Sequence, residues 1–314
     1  MEEYNPNNKT YLVLGPWLHG GYGRMDGDTL GNISFGSKTG VYYREQIELP
    51  FFNYYLKDKG QMTLPRVQAF ETGKNVWHSE RHWPPAGTQN LDLYFDAKSK
   101  LSLTTPQAAD STYDSYVSDP AKPVPYSAEV RTIEGHLFMV EDQRFVWTRP
   151  DVVFYQTNPL QEDLTVAGSI DAHLQVSTTG TDSDWVVKVI DVYPGDFPDP
   201  KPNPQNIHMG GFQMLLAGDI LRGKFRNSFS NPEPMVPEKT TKLDFTLGDK
   251  YHTFLKGHRI MVQVQSSWFP MFDRNPQVFC DIYHAKDTDY QKATEKIFRA
   301  GELASHVSLT VLKK

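Results

Sequence analysis

The sequence predicts a mainly β chain: an antiparallel sandwich of jelly-roll type, preceded by the last strand and helix of an α/β unit. Three observations carry that reading. Short β-rich runs divided by Pro, Gly, Asn and Asp recur from residue 61 to the C-terminus; no long helical periodicity interrupts them; and residues 11 to 60 alone read as strand, loop and helix. Residues 1–60 are therefore assigned to the C-terminal remnant of an α/β domain, and residues 61–314 to the sandwich.

The first element is "YLVL", residues 11–14, an apolar run of β-formers that stops at Gly15-Pro16. It suits a buried strand of a parallel sheet, where alternation is not expected. A glycine-rich loop follows, with His19 at its mouth. "VYYREQIELPFFNYYLKDKG" then sets Val41, Tyr42, Ile47, Leu49, Phe52, Tyr55 and Leu56 at helical spacing, closed by Lys57, Lys59 and Gly60, with Pro50 kinking or dividing the helix. One strand and one helix cannot cover both faces of a sheet, so the opening ~60 residues read as a piece of a larger domain.

The later runs are "RVQAFET", "LDLYFD", "SYVSD", "VVFYQT", "LTVAGSIDAHLQVST", "DWVVKVIDVYP", "TKLDFTL", "HRIMVQVQSS" and "HVSLTVLKK". Alternation in "HLQVS" and "IMVQVQ" predicts one buried and one wet face. "PGDFPDPKPNPQN" is too rich in proline for a sheet centre and reads as a long exposed loop. No internal repeat is found.

Composition narrows the function classes. Among 314 residues, 39% are hydrophobic and 13% aromatic, ample for a packed core. The formal net charge of −6 leaves no basic field for nucleic acid. No apolar stretch approaches the ~20 residues that span a bilayer. The lone cysteine, Cys280, excludes an internal disulfide and a CxxC metal site and is read as a buried, inert thiol. "MEEYNPNNKT" contains no apolar core of a signal peptide. No cofactor or metal is expected.

His19 is the leading catalytic candidate. A loop between a strand end and a helix is where α/β sheets carry working residues, and a general base needs room to approach its nucleophile. In α/β-hydrolases the order is Ser, then acid, then His after the last strand. No G-x-S-x-G elbow exists here; "NISFG" has Asn32 where the first glycine belongs, and only Glu2 and Glu3 precede His19 as acids. Both missing members are expected upstream.

The stretches "GPWLHGGYGR", "LPFFNYYLKDKG", "DSYVSDPAKPVPY", "VEDQRFVWTRPDVVFYQT", "TGTDSDWVVKVIDVYP" and "GHRIMVQVQSSWFPMFDRNPQ" resemble the C-terminal part of α-amino-acid ester hydrolases and glutaryl-7-aminocephalosporanic-acid acylase-like proteins. These belong to the wider group with cocaine esterase and Xaa-Pro dipeptidyl-peptidase. The resemblance implies a serine hydrolase with an α/β-hydrolase domain, a helical cap and a C-terminal jelly roll of galactose-binding-like type. His19 matches the catalytic histidine in the "GPWxH" motif. The implied partners are the upstream α/β-hydrolase and cap domains of the same protein and a small acyl ester or amide substrate. Trp17, Tyr22 and Tyr126 are weak substrate-binding candidates. The fragment alone is expected to be inactive, and its exposed cut face invites homo-oligomerisation. Periplasm or exterior is favoured over cytoplasm for the full-length protein.

Other clusters read as structural. Asp182, Asp184 and Asp191 invite a calcium site, but turn chemistry explains aspartates before a strand. "SSWFPMFDRNPQ" is read as a buried inter-domain contact with Arg274 paired to a carboxylate, ahead of a wall of the active-site cleft. "DPAKPVPY" is read as a sandwich crossover. His78 and His82 lack the second-position Glu of a zinc helix, and His258 opens a strand. The rival function is a free-standing sandwich that binds carbohydrate or another protein.

Overall fold

In a computed structural model, the described residues are 9–107, 112–129, 136–204 and 206–313. The opening "MEEYNPNN", with Glu2 and Glu3, lies outside them.

Strand β1 (Leu12–Leu14) forms at "YLVL". A one-turn helix α1 (Gly21–Arg24) and a small hairpin, β2 (Thr29–Leu30) with β3 (Ile33–Ser34), follow. Helix then runs from α2 (Thr39–Tyr42) through a wider turn, Tyr43–Glu48, into α3 (Leu49–Lys57). The division falls just before Pro50, which sits in the first turn of α3 where its missing N–H costs no bond. Asp58, in the left-handed region at φ 50°, ends the helix ahead of Gly60, its N–H bonding the Asn53 carbonyl.

β1 pairs in parallel with β4 (Val67–Glu71), Leu12 facing Val67, and β4 pairs antiparallel with β5 (Val76–Glu80). This sheet joins residues on both sides of position 60. Val67, Ala69, Leu12 and Leu14 pack with Ala167 and Tyr251 of the sandwich. On the helix side, Tyr11 meets Phe51 and Tyr55 edge-on at 5.6 and 6.5 Å. β1 was expected to be buried, but its residues are only half-buried, because it is the edge strand.

The sandwich contains β6 (Thr88–Asp96), β7 (Lys100–Ser102), β8 (Tyr113–Ser118), β9 (Val153–Gln156), β10 (Leu164–Thr178), β11 (Asp184–Val192), β12 (Gln213–Arg222), β13 (Thr241–Phe254), β14 (Arg259–Gln265), β15 (Ala293–Phe298) and β16 (His306–Leu312). β10 pairs along its length with β13 on one side and with β16 and β15 on the other. β11 lies between β12 and β14. The chain is thus mainly β, and its core gathers Phe95, Tyr155, Ile170, Leu174, Trp185, Val187, Val262 and Leu309 between the layers. The proline-rich segment after β11 is loop at its described residues, as expected. Among the described residues, no helix is long and apolar enough to cross a membrane.

Thr72 fastens the small sheet to the sandwich. Its N–H donates to the Tyr251 carbonyl at 3.0 Å and its carbonyl accepts from Thr253 at 2.9 Å. Beside it, Glu71 is buried, accepting from the Thr253 hydroxyl and standing 2.6 Å from His78 Nε2.

Candidate active site

The site grows from the C-terminal end of β1. Gly15 is required there: a Cβ would lie 2.3 Å from the Trp17 ring, far inside van der Waals contact. Trp17 folds back, its backbone N–H bonding the Gly15 carbonyl at 3.0 Å. Its indole N–H donates to Thr39 Oγ1 at 2.9 Å, and its ring sits among Tyr22, Tyr43 and Trp77 at 5.9, 5.3 and 6.0 Å. The base of the His19 loop is thereby held by rings.

His19 follows in an exposed turn before α1. Gly20 takes φ 72°, a conformation that favours glycine, and the Gly21 N–H closes the turn on the Leu18 carbonyl. Among the described residues the imidazole meets no hydrogen-bond partner. A fixed backbone thus presents a free, solvent-facing imidazole at the carboxyl end of a parallel strand, where α/β sheets place their chemistry.

Of the weaker candidates, Trp17 and Tyr22 are brought to the His19 loop, and Tyr22 keeps 42% of its surface exposed. Tyr126 is not. It is buried with Val186, Leu215, Met261 and Trp268 in the sandwich, against Phe138, which leaves its ring almost no free surface.

Gly15, Pro16 and Trp17 also line a cleft of about 250 Å³ between the small sheet and the sandwich, with Phe35, Phe70 and Met139 among its other walls. At its edge Thr72 Oγ1 lies 2.8 Å from His252 Nδ1. Behind them Asp191 is shared, Oδ2 at 3.3 Å from His252 Nε2 and Oδ1 at 2.8 Å from His258 Nδ1. Burial would raise Asp191, but the two imidazoles hold its carboxyl below the usual range. His258 is buried just ahead of β14.

The other aspartates diverge. Asp182 accepts from the backbone N–H groups of Ser183 and Lys224, and Asp184 takes two bonds from the Arg222 guanidinium at 2.8 and 3.0 Å. Among the described residues no group of three or more His, Cys, Asp or Glu is arranged to hold a metal. His78 lies on β5, an extended strand, so its spacing from His82 is not a helical one.

Two expectations are corrected. Arg274 donates to the Pro120 carbonyl and stacks on Phe269 and Tyr290, with no carboxylate partner among the described residues; Asp119, which lines the same cavity, is paired with Lys292 at 3.0 Å. Cys280 is half-buried, not sealed, although burial still pushes its thiol up.

Sequence reasoning missed the buried charges Lys188 and Glu295. The signal for Lys188 was a lysine inside an apolar run, "WVVKVI".

The X-Pro dipeptidyl-peptidase C-terminal non-catalytic domain family matches residues 59–308, so His19 lies outside the matched span. Over 317 residues the chain is 28% identical to cocaine esterase of Rhodococcus sp. (strain MB1 Bresler), covering 98% of this chain and 52% of that protein. Among solved structures it resembles an aminopeptidase from the marine sediment archaeon Thaumarchaeota archaeon, with TM-score 0.91 and 43% identity, covering 98% of this chain and 51% of the other. It also resembles an α-amino acid ester hydrolase, with TM-score 0.91 and 42% identity, covering 99% and 52%. The chain spans about half the length of each.

Proposed function

The chain belongs to the family of the X-Pro dipeptidyl-peptidase C-terminal non-catalytic domain, and from that premise we propose that it is the C-terminal half of a serine-dependent hydrolase of acyl esters or amides, to which it contributes the triad imidazole, His19. The observation that carries the proposal is the placement of that imidazole: accessible, without a hydrogen-bond partner among the described residues, and at the carboxyl end of a parallel edge strand.

Two further features support a missing half. β1 offers a second edge with no strand on it among the described residues. On the neighbouring helix Leu49, Phe52 and Leu56 form an outward apolar stripe, 55%, 46% and 73% exposed. An unpaired edge beside an apolar helix face is what a cut α/β sheet presents. The upstream α/β-hydrolase domain would cover both, and its cap domain would complete the substrate site.

In the mechanism, an upstream serine attacks the acyl carbon while His19 takes its proton, then returns it to the leaving alcohol or amine; an upstream carboxylate orients the ring. The glycine-rich turn lets the imidazole reach a hydroxyl without moving β1. The 314-residue chain, lacking an elbow serine, is inactive by itself. The names of the similar proteins, two esterases and a peptidase, fit an ester or amide carbonyl as the shared reacting group.

The test is hydrolysis of p-nitrophenyl and α-amino-acid esters by the protein with its upstream half, against its His19→Ala variant. A loss of at least ~10³-fold in kcat is expected. Retention of activity within about tenfold would remove His19 from the reaction.

A further inference from the structure

Lys188 stands in the middle of β11 with none of its surface exposed, between Val186, Val187, Val189 and Ile190. Its ammonium nitrogen donates to Gln143 Oε1 at 3.0 Å and lies 5.2 Å from the centroid of the buried Trp268 ring. Burial pulls its pKa down to about 7, against the pull of Glu141. A lone lysine in a sandwich core is disfavoured where a methionine would fill the same space. Its position in the fold gives it another task.

Gln143 is itself fully buried and donates Nε2 to the Glu141 carbonyl at 2.9 Å. Its neighbours hang from the same part of the sandwich. Asp142 accepts from the Gln213 N–H at 3.2 Å, the Glu141 carbonyl accepts from Leu215 at 3.3 Å, and Arg144 reaches the Gly210 and His208 carbonyls. This segment leads directly from Met139 and Val140, which form the cleft wall that accompanies Gly15–Trp17. Val140 packs on both the Leu30–Phe35–Phe70 cluster and the Met209–Phe212–Met214 cluster.

We propose that Lys188 is a positioning residue: through Gln143 it fixes the Met139–Val140 wall of the cleft, and so governs the fit of bulky apolar acyl groups beside the His19 loop. The inference rests on the hydrolase reading, since acyl esters and amides are the substrates it supposes.

The test uses the full-length protein with Lys188→Met, which removes the donor at nearly constant volume, and Gln143→Leu, which cuts the same bond from the loop side. KM for esters of bulky apolar acids is expected to rise about tenfold, with KM for acetyl esters and kcat for both kept within about twofold. Amide hydrogen exchange over residues 138–147 should rise roughly tenfold while β10 and β13 stay unchanged. The double variant should be no worse than either single one. Unchanged exchange in 138–147, or an equal loss for small and bulky acyl groups, overturns the proposal. If Lys188→Met does not fold, Gln143→Leu carries the test. If the wild-type protein hydrolyses no ester, the hydrolase reading falls by itself, and exchange alone decides whether Lys188 holds the loop.

Discussion

Trp17 Nε1 donates to Thr39 Oγ1 at 2.9 Å, and the Thr39 hydroxyl donates in turn to the Gly27 carbonyl. One buried threonine thus ties the base of the His19 loop to the return of that loop and to the start of the helix. Replacing it by valine keeps the shape and removes both bonds. Thr39→Val should lower stability in urea by about 1–3 kcal/mol, because a half-buried indole donor and a buried carbonyl acceptor lose their partner together. Thr39→Ser should recover most of that loss; equal losses for both would assign the role to packing.

Gly15→Ala drives a methyl into the Trp17 ring, 2.3 Å from its nearest carbon. The ring must leave its place among Tyr22, Tyr43 and Trp77. A cost of about 1–3 kcal/mol and a changed tryptophan emission are expected. Gly23→Ala is the control: nothing lies within 4 Å of its Cβ, so a change within about 1 kcal/mol is expected.

Asp184, 1% exposed, holds Arg222 through two bonds and also accepts from Asn275 Nδ2 at 2.9 Å. Asp184→Asn leaves the guanidinium without its charge partner and should cost about 3–5 kcal/mol in urea denaturation. Asp184→Leu combined with Arg222→Met should regain much of it. A single-variant cost under about 1 kcal/mol would show the pair to be solvent-screened.

Glu295 is buried on β15, with the Thr178 and Ser183 hydroxyls donating to Oε1 and no partner at Oε2 among the described residues. Burial, with the nearby negative charges of Asp184 and Asp182, pushes its pKa up to about 8 from an ordinary 4.5. Asp182 is likewise raised to about 6 by burial and by Asp184. The folded chain therefore keeps a proton that the unfolded chain releases above 4.5. Its stabilising effect is complete below that value and is lost as pH rises toward 8. Lys188 acts oppositely, but only above about pH 7, where the unfolded chain still holds its proton. Between pH 5 and 7 urea stability should decline with a slope of up to about 1.4 kcal/mol per pH unit per group, and Glu295→Gln should flatten that decline. Equal slopes in wild type and variant would show that Glu295 ionises normally.

What was legible in the sequence divides along physical lines. β10, β13 and β16 announced themselves because alternation reflects one covered and one more open face, and β11 as a continuous apolar run. β12, "QMLLAGDILR", did not: its leucines, alanine and glycine carry little β preference, and pairing with β11 alone makes it a strand. The wet face expected from the alternation in β14 is not there: Gln263 and Gln265 are buried as fully as their apolar neighbours, because β14 lies inside the sheet between β11 and β9. β5, "VWHSE", and β15, "ATEKIF", are obscured by their polar and charged residues. The His19 loop was legible because glycine and proline punctuate it locally. Tyr126, a substrate-binding candidate in a proline-rich stretch, misled because the stretch gives no sign that its ring turns into the sandwich. The pairings Asp184 with Arg222, Lys188 with Gln143 and Thr72 with His252 join residues 38, 45 and 180 positions apart, beyond any local pattern.

That last separation also sets a timetable. The seam through Thr72 closes on Tyr251, His252 and Thr253, so the strand that leads to His19 gains its anchorage only once four-fifths of this chain has left the ribosome. Until then β1, β4 and β5 can pair with one another, but the Thr72 N–H and carbonyl lack their sandwich partners, a long-range closure of the kind that slows folding. Nascent chains halted before residue 251 should be the most susceptible to protease near β1, and the vulnerability should vanish within a few residues of completing the seam.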